Sequence, residues 1–327
     1  MKRRQSLKVF AGLMTSAWLL MSAGNVGAAE YPKGAVRVIV PYSPGGPPDA
    51  HARYIAEKLS SRLGQPFVVE NRAGAGGTIA IAELLRNPAD GQTLLLFPTP
   101  LAMAPGLYPN FKTSIEDEID PIAQLSWQYN VLVVPPSLGV SSVDELVATI
   151  KASSDGGSYA SGGAGTPAHI MAEMFSEATG IKPTHVPYNQ FSQGIIDTTT
   201  GRVQFMFAAA VAVVGHIKSG RLKALAVASP ERLSSLPDVP TLKELGQESV
   251  DMVGWTGIVA KAGTSEEIVQ LLSKEITEVI ASDESKAYFS SIGDQAAVMP
   301  HQEFNDFVDA ESRRWSDYVR SKGISIQ

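Results

Sequence analysis

The 327-residue chain contains no cysteine. It therefore has no disulfide framework, no thiolate metal site and no cysteine that could carry a lipid anchor. The chain also lacks the nucleophile elbow of hydrolases, the phosphate loop of nucleotide hydrolases and the paired histidines of zinc proteases. We predict a protein that is not an enzyme and binds no metal or other cofactor. Its five histidines show no zinc-site spacing; they are His51, His169, His185, His216 and His301.

An apolar run long enough to span a membrane is also missing. Residues 9–23 form an apolar segment of about 15 residues, whereas a spanning helix needs about 20. A basic segment, residues 1–8, precedes this run, and small residues follow it. This is the pattern of a secretion signal, cleaved near Ala28 or Ala29. We predict an exported, periplasmic protein; a pair of arginines in the basic segment leaves the twin-arginine and general secretory routes both open.

Basic residues are scarcer than acidic ones, 27 against 33. The predicted signal, residues 1–28, holds four of the basic residues and none of the acidic ones. Its removal changes the formal net charge from −6 to about −10. A surface of this sign repels nucleic acid and anionic lipid, so neither is expected as a partner. The remaining ~300 residues exceed one modest core and predict two lobes.

Two strand-turn-helix patterns dominate what is present. At residues 36–49 a β-branched run ends in a Pro-Gly turn and restarts as a helix. Such a turn leaves the first N–H groups of the helix pointing outward, at the positive end of the helix dipole, where an anion binds. Residues 157–175 repeat the pattern, with a glycine turn before apolar residues at helical spacing. Two such turns, one in each half of the chain, predict an anion-binding cleft between two lobes.

Strands and helices alternate, which predicts parallel sheets that bind ligands at the carboxyl ends of their strands. The acidic cluster at residues 116–120 lacks the ligand spacing of a calcium loop and is predicted to be a solvated loop. Apolar periodicity predicts strands at 36–40, 67–69, 93–97, 130–134, 157–161, 184–187, 204–208, 222–229 and 251–260. It predicts helices at 48–63, 78–86, 190–199, 211–219, 265–281 and 302–322.

Four motifs, in order, resemble the exported solute receptors of the tripartite tricarboxylate transporters, often called Bug receptors. They are residues 40–46 with Asp49, 69–77, 159–163 with His169 and Glu173, and 226–232 followed by 236–241. The resemblance implies an α/β, two-lobed periplasmic binding protein with a type II-like fold. In such a fold each lobe is a central sheet flanked by helices, and two strands form the hinge. It places lobe 1 at 29–132 and 254–327, and lobe 2 at 133–253.

The resemblance also implies capture of a solute rather than chemistry. The lobes close on a small carboxylate, and a membrane permease of the tripartite tricarboxylate type recognises the loaded, monomeric receptor. A sensor kinase that reads the same closed form is an open alternative. The ligand-binding residues that we expect lie at the two turns and the nearby strand ends: Tyr42, Ser43, Pro44, Gly45, Gly46, Asp49, Gly76, Gly77, Thr99, Ser161, Gly162, Gly163, Thr166, His169, Tyr188, Asn189 and Ala208.

Five departures from the family pattern bear on the solute. Polar residues that relatives carry are replaced by Pro48, by Pro167 with Ala168, by the apolar run 97–103, by Asn189 and by Ala208. All five reduce polarity, which predicts apolar walls between two anion-binding ends. We therefore expect an aromatic acid, with terephthalate as the specific prediction. Adipate, citrate and malate stay open, as does a repacking of loops outside the pocket.

Overall fold

The computed structural model describes residues 31–326, and the predicted secretion signal lies outside them. Within this range no helix has both the length and the apolar character needed to cross a bilayer. The strands are β1 (Val36–Val40), β2 (Phe67–Asn71), β3 (Thr93–Pro98), β4 (Ile119–Gln128), β5 (Asn130–Val134), β6 (Ser158–Ser161), β7 (Thr184–Pro187), β8 (Phe205–Ala209), β9 (Lys223–Ala228), β10 (Gly254–Lys261) and β11 (Gln295–Ala296).

The helices flank two sheets. They are α1 (Pro47–Leu63), α2 (Thr78–Arg86), α3 (Thr99–Ala102), α4 (Ala104–Leu107), α5 (Ile115–Glu118), α6 (Val143–Ala152), α7 (Pro167–Thr179), α8 (Phe191–Thr199), α9 (Ala210–Lys218), α10 (Glu266–Ala281), α11 (Asp283–Ser291) and α12 (His301–Ser321). The first sheet has the strand order β11-β4-β10-β3-β1-β2, and the second has the order β7-β6-β8-β5-β9. The two-lobed α/β architecture predicted above is therefore confirmed.

Both sheets are mixed rather than parallel. β1 runs parallel to β2 and β3, and β6 runs parallel to β7 and β8. In contrast, β10 is antiparallel to both of its neighbours β3 and β4, and β5 is antiparallel to both β8 and β9. The reversed strand in each sheet is the one that has just crossed from the other lobe, so it enters from the cleft side. The parallel prediction holds for the strands that lead into the glycine turns.

The first crossing between the lobes lies earlier in the chain than we expected. β4 ends at Gln128 in the first sheet, and β5 starts at Asn130 in the second. The expected boundary after residue 132 therefore divides a strand that pairs along its whole length with β8 and β9. The crossing itself is Tyr129, and the second crossing leads into β10 at Gly254.

Helix α12 packs against the cores of both lobes. Its first half places Phe304 and Val308 in the first-lobe core with Trp255, whereas its second half places Trp315 in the second-lobe core with Phe175. The assignment of residues 254–327 to lobe 1 alone is therefore too simple. The 3.6-residue period predicted a buried stripe on this helix, but periodicity carries no information about which core covers each turn of the helix.

The acidic cluster at residues 116–120 is a capped helical turn and a strand start, not a loop. Ser114 Oγ accepts the Asp117 N–H at 3.2 Å, and the Glu118 carboxylate accepts the Ser114 N–H at 2.9 Å. These two bonds satisfy donors at the N-terminus of α5, after which β4 begins at Ile119. The dense charge correctly predicted that residues 116–118 are exposed, but it carried no information about their secondary structure.

Candidate functional site

The first glycine turn, residues 41–46, joins β1 to α1 and is held by a buried carboxylate. Asp49 is only 4% exposed and accepts the Gly45 N–H at 3.0 Å. Arg53 donates to both of its oxygens, at 2.9 and 3.0 Å, and Asn71 Nδ2 donates at 2.9 Å. Asn71 also donates to the Tyr42 carbonyl. Asp49 thus ties the turn to α1 and β2, which is a structural role.

The ties of Asp49 predict a pH-dependent stability. The Arg53 guanidinium, with the Gly45 and Asn71 hydrogen bonds, lowers the pKa of Asp49 from 3.8 to about 2. A carboxylate whose pKa falls on folding stabilises the folded state above its unfolded pKa, and this stabilisation is lost as the pH falls toward about 2. We expect the ionised group to contribute about 2 kcal/mol to the free energy of unfolding at neutral pH.

Urea unfolding at a series of pH values measures this contribution. The variant Asp49→Asn should lose the component of stability that titrates between about pH 4 and about pH 2. Glu303→Gln, which removes an exposed carboxylate from α12, should retain that component. An Asp49→Asn variant with the wild-type pH dependence would show that the turn does not depend on this ionisation.

Fewer N–H groups are free in the first turn than the sequence pattern predicted. Pro47 and Pro48 open α1 and carry no N–H. The Gly45 N–H is already bonded to Asp49. Among the described residues, the N–H groups of Tyr42, Ser43 and Gly46 have no acceptor. These three groups are donors that the turn can offer to an anion.

The second glycine turn, residues 162–166, joins β6 to α7 and also uses many of its own polar groups. Ser161 Oγ accepts the Gly163 N–H at 3.0 Å, and His169 Nδ1 accepts the Gly165 N–H at 3.1 Å. The Thr166 hydroxyl donates to the Gly163 carbonyl at 2.8 Å. Three of the side chains that we expected at the ligand therefore build the turn, while the exposed Ala164 N–H has no acceptor within residues 31–326.

Two stacked histidines lie behind this turn. The rings of His169 and His185 are 4.2 Å apart and nearly parallel, and the Tyr159 ring stacks on His185 at 4.9 Å. His185 Nε2 lies 2.6 Å from Ser161 Oγ. Burial lowers the pKa of His169, and burial together with the neighbouring His169 lowers the pKa of His185 to about 4. Both rings are therefore neutral at pH 7.

Leu107, the last residue of α4, and Tyr108, which follows it, lie between the two turns. A Cβ on Gly77 would lie 3.0 Å from the Pro41 Cβ, and one on Gly76 would lie 1.7 Å from the Tyr108 hydroxyl oxygen. A Cβ on Gly165 would lie 2.8 Å from Leu107 Cδ2. The contacts run from the first turn through Gly76 and Gly77 to residues 107–108, and from there to the second turn. The two turns therefore border one region.

Some expected site residues lie in the core instead. Ala208 is fully buried beside Val131 and Met206, because the β8 register directs its side chain into the second-lobe core. Most of the run 97–103 is also buried: Phe97 packs against Trp255. The Thr99 hydroxyl accepts the Trp255 N–H at 2.7 Å and is buried with it. In the described structure these positions are packed in the cores of the lobes, and their role as pocket walls stays a prediction.

Other expected residues lie beside the second turn. The Tyr188 N–H donates to the Ser161 carbonyl at 2.9 Å, and its hydroxyl donates to Asp197. Asn189 is exposed next to it. Phe191, which we had not placed in the site, lies against the turn: a Cβ on Gly162 would be 3.3 Å from Phe191 Cδ2.

Besides Phe191, sequence reasoning missed three side chains near the two turns: Leu107, Tyr108 and His185. Leu107 and Tyr108 carry no motif, and only the packing of α4 against α12 brings them to the turns. His185 has no metal-ligand spacing, and it meets His169 only because β7 pairs in register with β6, opposite Tyr159. A period-two pattern in β7 could have indicated the face of His185 but not its neighbour.

Two cavities lie beside the crossings rather than at the glycine turns. One, of about 370 Å³, is lined by Ala228, Leu242, Val250 and Val253 among others. The other, of about 320 Å³, is lined by residues including Tyr129 from the first crossing. Both cavities lie at the crossings between the lobes. The candidate site is defined instead by the contacts of the two glycine turns.

Comparison with known proteins gives a consistent result. A sequence model of the tripartite tricarboxylate transporter family receptor, TctC, matches residues 51–324. The protein BugT of Bordetella pertussis is 34% identical over 307 residues, which are 93% of this chain and 94% of BugT. An R. palustris protein solved with adipate is 28% identical with a TM-score of 0.80, covering 90% of this chain and 100% of that one. MatC from Rhodopseudomonas palustris, solved with bound malate, is 28% identical with a TM-score of 0.74, covering 88% and 100%.

Proposed function

Because the chain belongs to the tripartite tricarboxylate transporter receptor family, whose members bind solutes and are not enzymes, we propose that it captures a small carboxylate in the periplasm. The solute binds between the lobes and is delivered to a membrane permease of the same transporter type. The observation that carries this proposal is the meeting of the two glycine turns at residues 107–108.

Capture uses the N–H groups that the protein leaves without acceptors. Ser43 and Gly46 offer donors at the first turn, and Ala164 offers one at the second. A solute with a carboxylate at each end would accept hydrogen bonds from both turns and hold the lobes together, directly or through ordered water. Closure about the two crossings then gives the loaded receptor a shape that a permease distinguishes from the empty one.

For the solute we propose a dicarboxylate with an apolar body, with terephthalate first and adipate second. Aromatic rings accompany both turns: Tyr42 and Tyr108 lie at the first and Phe191 at the second. A hydroxyl of citrate or malate placed against Phe191 without a partner would cost about 1–3 kcal/mol. Positions 97–103 and Ala208 are largely buried in the described structure. The preference for a solute with an apolar body therefore rests on these rings and on Pro48, Pro167 and Asn189. The related structure with adipate also supports it, and the one with malate argues the other way.

A thermal-shift screen tests the proposal. The protein is unfolded and refolded to remove carried-over solute and is then screened against terephthalate, phthalate, benzoate, adipate, citrate and malate. A ligand at 100 times its Kd should stabilise the protein by about 2.7 kcal/mol and raise Tm by a few degrees. We expect terephthalate or adipate to give the largest shift.

Hydrogen exchange with and without the best ligand locates the binding. Protection should appear at both turns, near Ser43 and near Ala164. A shift with citrate or malate alone would overturn the solute assignment but not the receptor function. Protection at only one turn would overturn the cleft.

A further inference from the structure

The two histidines behind the second turn have a geometry that the capture mechanism does not use. Each supports one end of the turn: His185 bonds Ser161 Oγ, which accepts the Gly163 N–H, and His169 accepts the Gly165 N–H directly. The intervening Ala164 N–H is the free donor. We propose that His169 and His185 are positioning residues for the second turn, and that the turn keeps its shape only while His169 is neutral, so that solute capture weakens in acid. This inference rests on the proposed function.

The hydrogen bond to Gly165 defines the state of His169. Because Nδ1 accepts a hydrogen bond at 3.1 Å, the ring proton of the neutral side chain is on Nε2. Nε2 faces Glu173 Oε1 at 3.9 Å. A second proton must therefore go to Nδ1, where two N–H groups would face each other and Gly165 would lose its acceptor. The turn cannot keep its shape with that bond broken.

The stacked arrangement couples the two rings. They are 4.2 Å apart, so a charge on one opposes a charge on the other, and the pair takes up a single proton first. Burial lowers the pKa of His169 below 6.5, and burial with His169 lowers that of His185 to about 4. We therefore expect the second turn to change shape as the pH falls from below 6.5 toward about 4.

The groups around the pair come from β6, from α7 and from α12 with the residue that follows it. Tyr159 on β6 donates its hydroxyl to Glu173, and Glu173 on α7 opposes the effect of burial on both histidines. Glu177 on α7 is paired with Lys322, which follows α12, at 2.7 Å, and Tyr318 on α12 lies beside them. Glu173 is half-exposed, so its charge is screened by solvent. Desolvation therefore remains the larger effect, and the rings stay neutral at pH 7.

Two conservative variants separate titration from structure. His169→Asn places an amide oxygen near the position of Nδ1, and His185→Gln places an amide near the position of Nε2; neither titrates. Calorimetry with terephthalate and with adipate measures affinity at about pH 7 and about pH 5. We expect wild-type affinity to fall about tenfold more over this range than that of the double variant, which is the effect of one lost hydrogen bond. Titration of the solute itself is the same for both proteins and cancels.

His216→Asn is the matched control, since His216 lies on α9 and has no hydrogen-bond partner at Nδ1 among the described residues. It should keep the wild-type pH profile. His169→Leu, which removes the acceptor, should bind about tenfold more weakly at both pH values. A double variant that keeps the wild-type pH profile would overturn the inference.

A readout without solute keeps this test independent of the proposed function. Ring nitrogen shifts from NMR should show His169 at pH 7 protonated on Nε2 alone, and its titration should coincide with loss of hydrogen-exchange protection at Gly165. The Nδ1-protonated tautomer at pH 7, or titration without change at Gly165, would contradict the inference. Failure of every solute to bind, with these shifts as expected, would instead contradict the proposed function.

Discussion

Glu311→Ala is expected to lower the free energy of unfolding by about 3 kcal/mol or more, because the change removes a buried carboxylate and leaves its partners unpaired. Glu311 on α12 is 8% exposed. Its Oε2 accepts the indole N–H of Trp315 at 2.7 Å and that of Trp255 at 3.3 Å, and its Oε1 lies 3.5 Å from Arg314. Arg314 also pairs with Asp251 before the second crossing.

Glu311 also connects the cores of the two lobes, so its loss should affect how the lobes unfold together. Trp255 belongs to the first-lobe core and Trp315 to the second, so one carboxylate bonds to both. We expect urea unfolding of Glu311→Ala to show a lower midpoint and a broader transition, because the lobes then unfold less cooperatively. Glu311→Gln keeps an acceptor and should lose less stability.

Asp317→Ala on the same helix removes an exposed carboxylate and is the control. Its free energy of unfolding should stay within about 0.5 kcal/mol of the wild type. Equal losses for Asp317→Ala and Glu311→Ala would show that the buried bonds of Glu311 do not account for the change.

Gly76→Ala is expected to lower the free energy of unfolding by roughly 2–5 kcal/mol and to weaken solute binding strongly. Gly76 has φ +61°, where a Cβ costs about 1–2 kcal/mol. The added Cβ would also lie 1.7 Å from the Tyr108 hydroxyl oxygen and 2.5 Å from its Cζ. Overpacking of this kind costs about 1–3 kcal/mol and moves either Tyr108 or the turn.

The chain offers a matched control for the backbone part of this cost. Gly139 has φ +75°, and a Cβ there would meet no atom within 4 Å. Gly139→Ala should therefore lose only about 1–2 kcal/mol and bind solute normally. Adding Tyr108→Ala to Gly76→Ala should recover part of the stability, because the clash is relieved. Identical losses for Gly76→Ala and Gly139→Ala would contradict the close approach of Tyr108.

Much of the fold follows from local pattern. The predicted strands 36–40, 130–134 and 184–187 and the predicted helix 78–86 match the observed elements at both ends. In each case β-branched or apolar runs end at proline, glycine or asparagine, and those end signals act over only a few residues. The strand β4 was missed because it begins directly after a charged cluster and contains a proline, which argues against a strand.

The site was predictable in part. Both glycine turns could be located from sequence, because a strand, glycines and a helix start lie within a dozen residues of each other. The roles of side chains within the turns were less accessible. Ser161, Thr166 and His169 carry polar groups that could bond to a solute or to the turn, and only their distances show that they bond to the turn.

The sequence by itself determined the two glycine turns, most strands and helices and, through its four ordered motifs, the receptor family. Each of these depends on contacts between residues close in the chain, or on a family pattern. Only the tertiary structure decided that Ala208 and the run 97–103 are core, that α12 joins both lobes and that Tyr108 lies between the turns. The physical reason is that apolar character predicts burial, whereas the partner that buries a residue depends on how distant segments pack.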